Sequence, residues 1–87
     1  MTTLARMKER LAALEPEQLE IFDDSAQHKD HQGAKSGGGH YQLVIISPHF
    51  QGLTTLARHR LVYQTLAPMM QKEIHALSIQ ALSPSEI

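Results

Sequence analysis

Six histidines and no cysteine in 87 residues set the chemistry open to this chain. Imidazole ligates metals, carries protons near neutral pH and anchors hydrogen bonds. Three of the six, His28, His31 and His40, lie in or beside a stretch rich in glycine, serine and aspartate. His49 follows Pro48 in a turn, His59 sits in a segment of helical spacing, and His75 stands at the start of the last apolar run. A zinc site from His28, His31 and His40 is one reading. It is disfavoured, because zinc wants three or four convergent ligands and a glycine-rich loop fixes none of them. With no cysteine there is no disulfide framework, and the chain has no thiolate to offer as nucleophile or ligand. Six imidazoles also suit pH sensing, although no bistable element can be identified in the sequence.

The second candidate chemistry is cationic. Arg58, Arg60 and Lys72, with Lys35, are placed to meet phosphates or base edges. The charge balance opposes this, and an ordinary solvated helix face accounts for these side chains as well. The net charge is −1, with seven acids and four bases in residues 1–30, and two acids and four bases in residues 31–87. That is far from the basic excess of a protein held to DNA through its backbone. Catalysis is the least favoured class. No paired carboxylates are placed by regular structure, and Gly37-Gly38-Gly39 precedes a strand where a phosphate-binding loop would lead into a helix.

The elements that must position these residues read as follows. Leu4, Met7, Leu11 and Leu14 form one apolar stripe of a helix begun near Thr2 or Thr3 and stopped by Pro16. Gln18 to Asp23 alternates, with Leu19 and Ile21 against Glu20 and Phe22, as a first strand does. Asp24 to Gly39 has almost nothing to bury and reads as an extended hairpin loop, long enough to be functional or disordered. Leu43-Val44-Ile45-Ile46, β-branched and stopped by Pro48, is the central strand, antiparallel to the first.

A helix follows Gly52, capped by Thr54 or Thr55, with Thr55, His59, Val62, Leu66 and Met69 or Met70 along its buried stripe. Arg58 and Arg60 should point toward solvent. Pro68 ends this helix near Ala67 or begins a new turn. Ile74 to Leu82 reads as a third strand, parallel to the second through a crossover, with His75, Leu77, Ile79 and Ala81 sharing inward parity. Ser83-Pro84-Ser85-Glu86 starts a short final helix. The expectation is one α/β domain over 1–87, of α+β type. It is ordered α-β-β-α-β around a three-stranded mixed sheet, with helices on one face and an apolar patch on the other. No apolar run approaches the ~20 residues of a membrane span and no signal peptide is visible, which fits a cytoplasmic protein.

Several segments, taken in order and spacing, resemble the BolA family. They are Asp23-Asp24-Ser25 with His28, Gly39-His40-Tyr41-Gln42-Leu43-Val44-Ile45-Ile46-Ser47, Phe50-Gln51-Gly52, Arg58-His59-Arg60-Leu61-Val62-Tyr63, and Ile74-His75-Ala76-Leu77-Ser78-Ile79. The resemblance runs from about Leu4 to Ile87. It implies a fold like a class II KH domain, although Gly33-Ala34-Lys35-Ser36-Gly37 has the wrong spacing and place for the KH clamp loop. It further implies a non-enzymatic partner of monothiol glutaredoxins, sharing a [2Fe-2S] cluster with the glutaredoxin and its glutathione and holding no cofactor alone. The ligands that the resemblance implies are a loop residue, matched to His28, and His75. His31 and His40 are the alternative loop ligands, and His59 reads as a structural histidine. A chain without cysteine holds part of a cluster only where the partner brings thiolates. Some members are described as DNA-binding regulators, a role that would fall to Arg58, Arg60 and Lys72. Pro68, where relatives usually carry an acidic residue, and the extra His31 are departures. A monomer or weak homodimer is expected.

Overall fold

The computed structural model describes residues 2–24, 39–70 and 72–87. Helix α1 (Thr3–Leu11) begins where Thr2 Oγ1 accepts from the Ala5 amide at 3.1 Å, and a single 3-10 turn (Ala12–Leu14) extends it. Pro16 then excludes the helical region for Glu15, which turns the chain with a left-handed φ of 49°. Strand β1 (Gln18–Asp23) pairs antiparallel with β2 (Gly39–Ile46), from Gln18 opposite Ile46 to Asp23 opposite Tyr41. After β2, Pro48–Phe50 forms a 3-10 turn. Gln51 (φ −60°, ψ 127°) and Gly52 (φ 78°) then make a type II turn, closed by Leu53 N–H donating to the Phe50 carbonyl at 3.1 Å. Only glycine takes the second central position of such a turn without strain.

Helix α2 (Thr55–Thr65) is capped by Thr54, whose Oγ1 accepts from the Ala57 amide at 3.1 Å. It stops before Pro68, which sits in the next 3-10 turn, Ala67–Met69. Strand β3 (Ile74–Leu82) runs parallel to β2 on the side away from β1, so the sheet order is β1-β2-β3. A 3-10 turn (Pro84–Glu86), shorter than the final helix expected, ends the chain. The order and strand directions are those expected. No helix among the described residues is long and apolar enough to cross a membrane.

The core lies between the helices and one face of the sheet: Met7, Leu11 and Leu14 from α1 and its extension, Val62 from α2 and Leu66 at its C-cap, and Tyr41, Leu43, Ile45, Ile74 and Ala81 from the strands. Phe50 and Met69, both in turns, are fully buried with them. Thr55 is exposed, because the buried stripe of α2 begins further along the helix.

The other face of the sheet corrects one expectation. It carries Gln18, Glu20, Gln42, Ser78 and Gln80 beside a half-buried Val44, so it is a largely polar surface in which Phe22 is the exposed apolar side chain. Ile46, at the end of β2, is buried.

Buried polar groups tie together the end of the sheet where β2 and β3 finish. Ser47 Oγ donates to the Leu14 carbonyl at 2.5 Å and accepts from the His49 amide, while Ser47 N–H donates to Leu82 O at 2.9 Å. Arg58 does not point to solvent. Its side chain is only 12% exposed, it donates to the carbonyls of Leu53 and Ala81, each at 3.0 Å, and it pairs with Glu86 at 2.7 Å. Glu86 also accepts from the Ser83 hydroxyl and amide. These bonds from Ser83, with Arg58 beside them, hold the Glu86 carboxyl down at about 2, below its ordinary 4.5. The helix periodicity that put Arg58 outside could not show that a strand carbonyl and the chain end wait within its reach.

Two outcomes follow from this end of the molecule. Ser47→Ala leaves a buried carbonyl and amide without their partner, and urea unfolding should show a loss of about 1–3 kcal/mol. A carboxyl held low in the folded state stabilises fully above its ordinary value and loses that contribution as pH falls through its folded value. The stability advantage of the wild type over Glu86→Gln should therefore shrink between pH 4.5 and about 2, measured as the urea midpoint against pH.

Candidate functional site

At the opposite end of the sheet, where β2 and β3 start, two histidine rings meet. The centroids of His40 and His75 lie 5.2 Å apart, with their planes tilted by 46°. His40 is the second residue of β2. It alternates with the buried Tyr41 and so falls on the sheet face that the helices leave uncovered. Asp24 is opposite, its amide donating to the His40 carbonyl at 2.7 Å and its carboxylate accepting from Gln42 Nε2 at 2.5 Å.

His75 reaches this face through a bulge. Gly39 pairs with Ile74, but His40 pairs with Ala76, so β3 has one residue more than β2 at this point. The physical cause is a conflict of parity. Ile74 is 1% exposed and belongs to the core, as Ala81 does, and Leu77 and Ile79 pack against it, yet 74 and 77 cannot share a face in a regular strand. The extra residue resolves the conflict, and His75 is exposed where inward parity with Leu77 had been expected. The break in spacing between Ile74 and Leu77 was the signal that could have revealed it.

Two contacts hold the bulge. Gly39 N–H donates to the Glu73 carbonyl at 2.8 Å, and the Glu73 carboxylate pairs with Arg6 of α1. His75 therefore begins a strand anchored to both β2 and α1.

The remaining candidates are scattered. His28 and His31 lie outside the described residues. His59 is half-buried in α2, on the helix side of the sheet and away from the pair. His49 Nε2 lies 3.0 Å from Glu15 Oε1, at the far end of β2. Arg60 and Lys72 are exposed, one on α2 and one before β3, whereas Arg58 is consumed by the contacts described above. Among the described residues, no group of three or more histidine, aspartate or glutamate side chains is placed to hold a metal ion. The chemistry on offer is thus two imidazoles side by side, His75 exposed and His40 half-buried. Two imidazoles fall short of the three or four ligands that a metal site usually wants.

Comparison with known proteins gives this arrangement a family. A profile described as BolA-like protein matches residues 11–86. The chain is 42% identical to Protein BOLA1, chloroplastic, of Arabidopsis thaliana, over 94% of its own length and 54% of that protein. It is 37% identical to the DNA-binding transcriptional regulator BolA of Escherichia coli (strain K12), over 93% of its length and 75% of that protein. The solved structure of BolA1 from Arabidopsis thaliana superposes with a TM-score of 0.86 at 40% identity, covering 100% of this chain and 97% of that one. Several curated relatives are longer proteins, of which this chain spans about half or less. A match over nearly the whole chain, in sequence and in fold, makes this protein a member of the BolA-like family.

Proposed function

We propose that this protein is a non-catalytic adaptor that co-ligates a [2Fe-2S] cluster with a monothiol glutaredoxin. In this reading His75 and a histidine near the start of β2 take one iron, and the glutaredoxin cysteine and glutathione supply the thiolates. The observation that carries the proposal is the His40–His75 pair. His40 is the histidine that β2 holds beside His75, so these two are the ligands named here, and His28, which lies outside the described residues, is the alternative to His40. The donor set fits: two neutral imidazoles can replace two thiolates on one iron, and a chain without cysteine cannot complete the set alone.

When bound, such a cluster supplies one-electron chemistry and a transferable iron–sulfur unit. Imidazole in place of thiolate raises its potential and makes it easier to reduce or pass on. This chain's own part is to hold the two rings. The Gly39–Glu73 bond and the Arg6–Glu73 pair fix the strand entry from which His75 projects. The role belongs to the cytoplasm, where monothiol partners stay reduced.

A DNA-binding regulator is the second reading, favoured by the name of the Escherichia coli relative. It is weakened here, because Arg58 is spent on Ala81 and Glu86, leaving Arg60 and Lys72 as the exposed cations of the set.

The test is visible absorption and circular dichroism of the protein mixed with cluster-loaded monothiol glutaredoxin. The wild type should give a new spectrum that His75→Ala and His40→Ala each abolish and His28→Ala leaves intact. Loss with His28→Ala but not His40→Ala would move the second ligand into the loop. A glutaredoxin spectrum unchanged by the wild type, with no complex on gel filtration, would sink the adaptor. For the second reading, Arg60→Ala should weaken duplex binding and lower the slope of log affinity against log salt by about one.

A further inference from the structure

Among the described residues, one edge of strand β3 is covered by no other strand, and its pattern suits a particular occupant. In β2 the even residues bond to β1, as the His40 carbonyl does with Asp24, and the odd residues bond to β3, as the Ser47 amide does with Leu82. In the parallel ladder β3 therefore uses its even residues toward β2, and the amides and carbonyls of Leu77, Ile79 and Ala81 point off the sheet. The Ala81 carbonyl confirms this direction, since Arg58 reaches it from outside. No bond among the described residues reaches the outward groups of Leu77 or Ile79. Edges of this kind are usually blunted by charge, proline or a short strand. From Ile74 to Leu82 there is no acid, lysine, arginine or proline in nine residues. The other edge, β1, is six residues long, includes Glu20 and Asp23, and is flanked by Glu17 and Asp24.

We propose that β3 pairs antiparallel with β3 of a second copy of this chain, about a two-fold axis through Ser78. This register sets Leu77 opposite Ile79 and Ile79 opposite Leu77, which satisfies all four outward groups of these residues. It brings two apolar side chains together on the helix side, where both are only half-buried in one copy. Ser78 meets Ser78, Gln80 meets Ala76, and no like charges oppose. Pairing ends at Ala81, whose carbonyl Arg58 already takes. Helix α2 packs on β3 and carries exposed Leu56 and Tyr63, so the same two-fold lays two α2 helices alongside each other on the covered face. The contact is small, which places the dimer among weak associations that form at high protein concentration.

Ser78 is exposed, so its substitution should leave the fold intact. Its position on the axis makes it diagnostic: in a non-hydrogen-bonded antiparallel pair the two Cα atoms lie about 4.5 Å apart. Sedimentation velocity from micromolar to millimolar protein should show a monomer–dimer equilibrium, and amide exchange at Leu77 and Ile79 should slow as the dimer fills. Ser78→Lys should weaken the dimer roughly tenfold, and mixing Ser78→Lys with Ser78→Glu should restore it. A monomer at every concentration overturns the proposal, as does a dimer indifferent to Ser78→Lys. A monomer whose Leu77 and Ile79 amides are protected only by added glutaredoxin also overturns it, and assigns the edge to that partner.

Discussion

Parallel pairing of β3 with β2 is the constraint on which the rest of the structure depends. Parallel neighbours cannot be joined by a tight turn, so the chain must cross from one end of the sheet to the other between Ile46 and Ile74. Helix α2 makes that crossing and in doing so buries Val62 and Leu66 against the strands. Because β2 and β3 start together and finish together, the histidine near the start of each strand comes to the same end of the sheet. The segments that follow them, beginning with Ser47 and Ser83, come to the other. An antiparallel β3 would have separated His75 from His40 by the length of the strand.

The two ends divide the work. Where the strands finish, buried hydroxyls, a nearly buried guanidinium and a low-titrating carboxylate close on one another: Ser47 with Leu14, Arg58 with Ala81 and Glu86, and Glu86 with Ser83. Polar groups taken from water are costly unless satisfied, and here each has its partner, so this end is specified as tightly as the apolar core. Where the strands start, one bulge throws His75 outward and the carbonyl and carboxylate of Glu73 hold its root. This end sets the two imidazole rings side by side.

The elements themselves were legible because each rests on local physics. Gln18–Asp23 and Ile74–Leu82 follow from apolar alternation, the helix starts from Thr2 and Thr54, and the stops from Pro16, Pro48 and Pro68. Of the candidate site, His75 was named from the family resemblance, and the composition already said that this chain offers imidazole and no thiolate. The companion of His75 was harder to see. His28 and His40 lie in or beside the same loop, and sequence distance does not rank them. Strand register places one of them: it holds His40 opposite Ala76, next to the bulged residue, while His28 lies outside the described residues.

What the sequence determined by itself was the set of elements, their order, the family and the kind of ligand available. These depend on periodicity, on caps and breakers, and on which side chains exist at all. Only the tertiary structure decided where His75 points, which histidine meets it, and that Arg58 is a structural clamp and not a free cation. Each of these turns on contacts between residues far apart in the chain: Gly39 with Glu73, Ala81 with Arg58, Arg58 with Glu86. Local pattern carries no record of them, because they arise only when three strands share one register.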